Sequence, residues 1–165
     1  MPPDLQTLRE RFIETGGQIS QSIGLGRVLG QVFAHCYFSP TAQGLDDLTA
    51  ALHISKGSAS MAVRQLLQWG AIQQVWVKGE RRDFYEATED FGKIIRRALL
   101  DLIGQRMETG DTLLADAEQL ATSIGHNGKA SPEELFVQHR IARLRLFRDR
   151  AQRIWDNSII KLLLK

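Results

Sequence analysis

Cysteine is almost absent from this chain: Cys36 stands alone. A single thiol excludes an internal disulfide framework and any multi-cysteine zinc site, and it fits a reducing compartment. Proline is scarce too, with four residues, so little interrupts helices. No apolar run is long; residues 158–164 fall far short of the roughly 20 residues that a membrane-spanning helix needs. Met1, Pro2, Pro3 and Asp4 show no basic segment followed by an apolar one, so no secretory leader is expected and the expected location is cytoplasmic. Charge of one sign is also missing. The 21 Lys and Arg against 19 Asp and Glu leave a net charge of +2, too small a balance to identify a nucleic-acid partner by itself.

What is present is ordinary globular material: 43% hydrophobic and 24% charged residues over 165 positions. That length fits one domain, or a small domain with a helical extension. No internal repeat or low-complexity segment stands out.

Apolar periodicity then divides the chain. Leu5, Leu8 and Phe12 recur at helical spacing over residues 4–15, and the pair Gly16, Gly17 is expected to end that helix. Val28, Leu29, Val32, Phe33, Cys36 and Tyr37 define a second helix over 26–38, closed by Ser39 and Pro40. Leu45, Leu48 and Leu52 give a third over 45–52, with Asp46 and Asp47 in the first turn complementing the helix dipole. His53 and Ile54 make a tight turn, Ser55 is a suitable N-cap, and Gly70 is a suitable stop, giving a fourth helix over 56–69. Residues 72–77 and 83–87, rich in branched and aromatic side chains around a Gly79 turn, read as a β-hairpin. Thr88 is expected to cap a long helix over 89–124, on a stripe of Phe91, Ile95, Ala98, Leu102, Leu113, Ala117, Leu120 and Ile124. After a polar linker over 125–130, Ser131, Pro132 and Glu134 supply the strongest helix start in the chain.

Helices three and four with the hairpin spell a winged helix-turn-helix, in which one face of the second helix packs inward and the other stays free for the major groove. At 100° per residue, Ala59, Val63, Leu66 and Leu67 share the inner face, while Gly57, Ser58, Met61, Arg64, Gln65 and Gln68 point outward. Arg64 can bond a guanine edge with two donors, Gln65 can pair with adenine, and Lys56 or Ser58, beside Ser55, can hold phosphate. Lys78, Arg81 and Arg82 surround the Gly79 turn, where cations can enter the minor groove. The plainer alternative is a small α+β domain with a solvated tip, as the neighbouring Glu80, Asp83, Glu86, Glu89 and Asp90 allow.

The stretches "GLGRVLGQVFAHCYFSP" and "LDDLTAALHISKGSASMAVRQLLQWGAIQQVWVKGERRDFYEA" closely resemble the GbsR-like branch of the MarR superfamily of bacterial and archaeal repressors. "ISKGSAS" and "LLQWGAIQQVWVKGERRDFYEA" are the most distinctive parts, and the resemblance covers residues 24 to about 102. It implies a mainly α, winged helix-turn-helix dimer with a β-hairpin wing, terminal dimerisation helices and a recognition helix at residues 56–69. In place of the general MarR wing pattern of aspartate and arginine followed by leucine and threonine, this chain has Arg81, Arg82 and Asp83, then Ala87 and Thr88. The branch is associated with repressors of choline and glycine-betaine genes, a role that only some members have, so the effector stays unknown.

The last helix carries Phe136, Val137, Leu144, Phe147, Ala151, Ile154 and Trp155 on one side, a stripe that needs a partner. Its arginines, Arg143, Arg145, Arg148, Arg150 and Arg153, point all round, whereas Arg140 falls within the stripe and is expected to pair with a carboxylate across a dimer. Leu5, Leu8, Phe12, Phe136, Arg140, Leu144, Phe147, Ile154 and Trp155 are thus the expected dimerisation residues. The expected organisation is N-terminal helices over 1–43, the winged module over 44–88, and the long helix with the dimerisation helix over 89–165.

Cys36 reads as a small buried hydrophobe, with peroxide sensing as the alternative. Trp69, Trp76, Phe33, Tyr37 and Phe38 read mainly as core, with a cage for a quaternary ammonium as the alternative. The four histidines show no ligand spacing, and no phosphate-cradling loop or nucleophile-base pattern is visible. No metal, cofactor or enzymatic activity is expected. The expected partners are double-stranded DNA and a second copy of the chain, with release by a small-molecule effector of unknown identity left open, and the competing reading is a winged-helix protein-interaction module without specific DNA binding.

Overall fold

The helical register that begins at Leu5 does not stop at the glycine pair. In the computed structural model, which describes residues 4–126 and 131–156, helix α1 (Leu5–Ser22) runs straight through Gly16 and Gly17. Asp4 caps its start, accepting from the Thr7 N–H at 2.7 Å. The expected stop is corrected by what lies opposite, helix α2 (Arg27–Phe38). Gly17 and Gly30 are buried, and a Cβ on Gly30 would overlap the Gly16 carbonyl oxygen. A glycine inside a helix costs about 1 kcal/mol relative to alanine; here close backbone contact between two helices offsets it. The buried Ser20 hydroxyl ties the same corner by donating to the Gly26 carbonyl at 2.8 Å, and Arg27 pairs with Glu14 across it.

Helices α3 (Leu45–Leu52) and α4 (Lys56–Trp69) follow at the expected positions. The turn between them is sharp because His53 takes a left-handed conformation, φ 53°, which a non-glycine residue adopts infrequently. Gly70, φ 68°, closes α4, and the Ala71 N–H reaches back to the Leu66 carbonyl at 2.8 Å, the bond pattern of a glycine-terminated helix.

The wing is three-stranded, one strand more than the hairpin expected. Strands β1 (Gln43–Gly44), β2 (Ile72–Val75) and β3 (Phe84–Ala87) form an antiparallel sheet in the order β1-β3-β2. Gln43 lies opposite Tyr85, and Val75 opposite Phe84. Two residues are too few to show an alternation, so β1 left no signal in the sequence. The hairpin strands are also shorter than expected, and residues 76–83 form the wing loop.

The core of this part lies where α2, α3, α4 and the sheet meet: Val32, Cys36, Leu48, Ala62, Val63, Leu66, Trp69, Ile72 and Tyr85 are buried together. Helix α5 (Phe91–His126) seals it with Ile94 and Ala98. Thr88 does not cap α5 as expected. Its hydroxyl donates to the Gly70 carbonyl at 2.7 Å, locking the end of β3 to the end of α4. Asp90 does the capping instead, accepting from the Lys93 N–H at 3.0 Å.

The chain divides into two compact units, Met1–Leu99 and Leu100–Lys165. In the second, the later part of α5 and helix α6 (Pro132–Asp156) form an antiparallel hairpin. Arg145 pairs with Glu118 at 3.3 Å, Arg148 pairs with Asp111 at 3.5 Å, and the Gln138 side chain donates to the Ala121 carbonyl at 2.9 Å. Ser131 caps α6, its hydroxyl accepting from the Glu134 N–H at 3.2 Å while Glu134 accepts from the Ser131 N–H. The expected linker over 125–130 lies largely outside the described residues. No helix among the described residues is long and apolar enough to cross a membrane.

Candidate nucleic-acid interface

The two faces of α4 separate as its periodicity requires. Ala59, Ala62, Val63, Leu66 and Trp69 are buried, while Leu67 is half-buried. Gly57, Met61, Arg64 and Gln68 are exposed, and Ser58 and Gln65 are half-exposed. Met61 is 72% exposed, on the outward face that the helical register sets once Ala59, Ala62, Val63 and Leu66 are buried. Apolar contact is what a thymine methyl in a major groove offers.

The start of α4 is held by hydroxyls. The Ser55 hydroxyl accepts from the Ser58 N–H at 3.1 Å and shares a hydrogen bond with the Ser58 hydroxyl at 2.9 Å. Each hydroxyl has one donor, and the bond the pair shares uses one of the two, so one O–H of the pair stays available to a phosphate oxygen. The Lys56 ammonium beside them pairs with Asp46 of α3 at 3.0 Å. That ammonium, and Arg82 after it, hold the exposed Asp46 carboxyl below the usual carboxylate range.

On the wing, the loop turns through Gly79, φ 90°, with the Glu80 N–H donating to the Val77 carbonyl at 3.1 Å. Lys78 and Arg81 are exposed, and neither forms an ion pair among the described residues. Arg82 differs from them. It lies 3.4 Å from Glu80 and 3.5 Å from Asp46, with its guanidinium 5.3 Å from the centre of the Phe84 ring. The Glu80 carboxylate, more than Asp46, keeps the guanidinium firmly protonated. The wing cations therefore fall into a free pair at the tip and one held at the base.

Trp76, expected mainly as core, is on the surface. It stands 79% exposed beside these cations, with Gln74, Glu80, Arg81, Arg82 and Asp83 around a shallow groove. Placed among core aromatics by composition alone, it lies one residue beyond β2, where alternation ends. Trp69, in contrast, is buried in the core, so the aromatic cage divides between core and wing. Phe33, Tyr37 and Phe38 instead gather with Phe12 and Phe91, Phe12 stacking on Phe38 at 4.5 Å and Tyr37 lying 5.3 Å from Phe91. Cys36 is buried, and burial pushes its thiol up to about 12, far from the low values of reactive cysteines.

The expected dimerisation residues are exposed in the single chain. Leu5 is 76% and Phe147 71% exposed, and Leu8, Phe12, Phe136, Leu144 and Ile154 are exposed as well. The Arg140 guanidinium lies over the Phe136 ring, 4.8 Å from its centre. The Trp155 side chain lies outside the described residues.

No protein-family model matches the chain. Over 87 residues, 53% of the chain, it is 28% identical to the HTH-type transcriptional regulator YvaV of Bacillus subtilis (strain 168), covering 49% of that protein. Over 87 residues it is 25% identical to the HTH-type transcriptional repressor OpcR of the same organism, covering 47% of it. The matched part thus spans about half the length of these curated relatives. A crystal structure of a transcriptional regulator shares the fold with a TM-score of 0.55 at 23% identity, covering 94% of this chain and 95% of the other. The chain accordingly has a mainly helical, winged helix-turn-helix fold with a small three-stranded wing and terminal helices, and its sequence is similar to those of HTH-type transcriptional regulators.

Proposed function

We propose that this protein is a sequence-specific, DNA-binding transcriptional repressor that acts as a homodimer on a near-palindromic operator. One observation carries the reading: the outer face of α4 is exposed and offers Met61, Arg64 and Gln68, while its inner face is fixed in the core. That is the arrangement a recognition helix needs to read base edges. The cations Lys78 and Arg81 beside it suit backbone or minor-groove contact. The name of OpcR supports the repressor assignment. The GbsR-like branch is the finer assignment, resting on "ISKGSAS" and the wing sequence, and it names no effector.

Dimerisation is supported by the exposed apolar side chains of α1 and α6. Left in water, such stripes favour aggregation, whereas two-fold pairing buries them and presents two recognition helices to one face of DNA. Half-sites are then expected about 10 base pairs apart. In this reading the terminal helices serve association, and residues 44–88 serve DNA.

The test is binding of the purified protein to a random duplex pool across a salt series, followed by sequencing of the retained fragments. Enrichment of a near-palindrome, with affinity falling as salt rises, is the expected result. Absence of any salt-dependent duplex binding would leave the exposed α4 face to a protein partner.

A further inference from the structure

Two cations from different parts of the interface converge on one carboxylate. The Lys56 ammonium, at the start of α4, lies 3.0 Å from one oxygen of Asp46, and the Arg82 guanidinium, on the wing, lies 3.5 Å from the other. Lys56 and Arg82 stand 26 residues apart in sequence, and Asp46 is the group they share. All three side chains are exposed. The adjacent Asp47 is otherwise engaged, accepting from the Gly44 N–H at 2.8 Å, and Glu80 meets Arg82 from its own loop.

We propose that Asp46 occupies the place of a DNA phosphate, holding Lys56 and Arg82 together in the free protein and giving way when the duplex arrives. The inference rests on the DNA-binding reading above and deepens it by naming one phosphate contact and its intramolecular competitor. An anion between an ammonium and a guanidinium, beside a capped helix N-terminus, is the setting in which a phosphate oxygen binds. A carboxylate already in that position has two effects. It aims two long side chains that would otherwise pay entropy to converge, and it lowers the net charge of the contact by one.

The second effect is measurable, because the salt dependence of binding counts neutralised phosphates at about 0.9 per contact on B-form DNA. Exposed ion pairs contribute little to folding stability, so Asp46→Asn should fold with a melting temperature close to wild type. Its affinity for a random-sequence duplex should rise at low salt, and the slope of log affinity against log salt should steepen by about 0.9 per bound protomer. Between 50 and 200 mM salt the variant should therefore lose about 3- to 4-fold more affinity per protomer than wild type. Combining Asp46→Asn with Lys56→Met restores the net charge of the contact and should return the slope to the wild-type value.

The experiment is fluorescence anisotropy of labelled random duplex with full-length protein, wild type and both variants, at several salt concentrations, with thermal melts alongside. A wild type that binds with a clear salt slope, together with an Asp46→Asn slope that is unchanged or shallower, would overturn this inference and leave the DNA-binding reading intact. A wild type with no salt-dependent binding would overturn the DNA-binding reading itself.

Discussion

Gly30 of α2 faces the backbone of Gly16 in α1 so closely that no side-chain carbon fits between them. The two glycines set the distance between the helices, and through α2 they set where Val32 and Cys36 enter the core.

Gly30→Ala is therefore expected to destabilise the protein although alanine is the better helix former. Overpacking of a fitted contact costs about 1–3 kcal/mol, against roughly 1 kcal/mol gained in helix propensity. The net loss should lower the urea midpoint with an unchanged slope. Gly104→Ala, where a Cβ meets nothing within 4 Å, should be neutral or stabilising. Equal behaviour of the two variants would remove the close-contact account of α1.

Arg64→Ala tests direct reading by α4. Arg64 is exposed on the outer face and a bidentate contact to guanine is worth about 1–3 kcal/mol. Binding to the selected operator should weaken by that amount and preference should relax at one base position, with no change in thermal stability. Uniform weakening across all duplexes would assign Arg64 to phosphate contact instead.

Cys36 gives a prediction in pH. Burial raises its thiol from 9.0 to about 12 in the folded protein, so between those values the unfolded chain releases the proton while the folded one keeps it. The unfolded state then binds fewer protons, and this contribution to stability falls as pH rises, by about 1.4 kcal/mol per unit. Wild type should lose stability more steeply than Cys36→Ala above pH 9, and the two should run parallel below it, as chemical denaturation at each pH will read. For the same reason peroxide should leave operator binding by the wild type intact. Release by peroxide that Cys36→Ser abolishes would restore the sensor alternative.

Removing residues 131–165 takes away α6 and with it the exposed Phe136, Leu144, Phe147 and Ile154. Sedimentation should then show weak self-association or aggregation, and operator affinity should fall steeply because each half-site alone contributes only part of the binding. A truncated chain that remained a stable dimer and bound its operator normally would assign α6 a role other than dimerisation.

The features that could be read from the sequence alone are those whose physics is local. Apolar spacing placed α2, α3 and α4 to within a residue, because a buried stripe needs little beyond its own register. Ser55, Gly70 and the Ser131 and Glu134 pair marked helix ends, because each bonds to backbone within a few residues of itself. The outward face of α4 followed from the inward one. Tertiary structure decided the rest wherever a distant partner outweighed the local preference. Gly16 and Gly17 would stop an isolated helix, but close packing on α2, Gly16 against Gly30 and Gly17 against Arg27 and Gln31, keeps them inside α1. Thr88 is a good cap by chemistry, yet the Gly70 carbonyl takes its hydroxyl. Asp46 looked like a residue complementing a helix dipole; only folding brings Arg82, 36 residues away, to the carboxylate that Lys56 already holds.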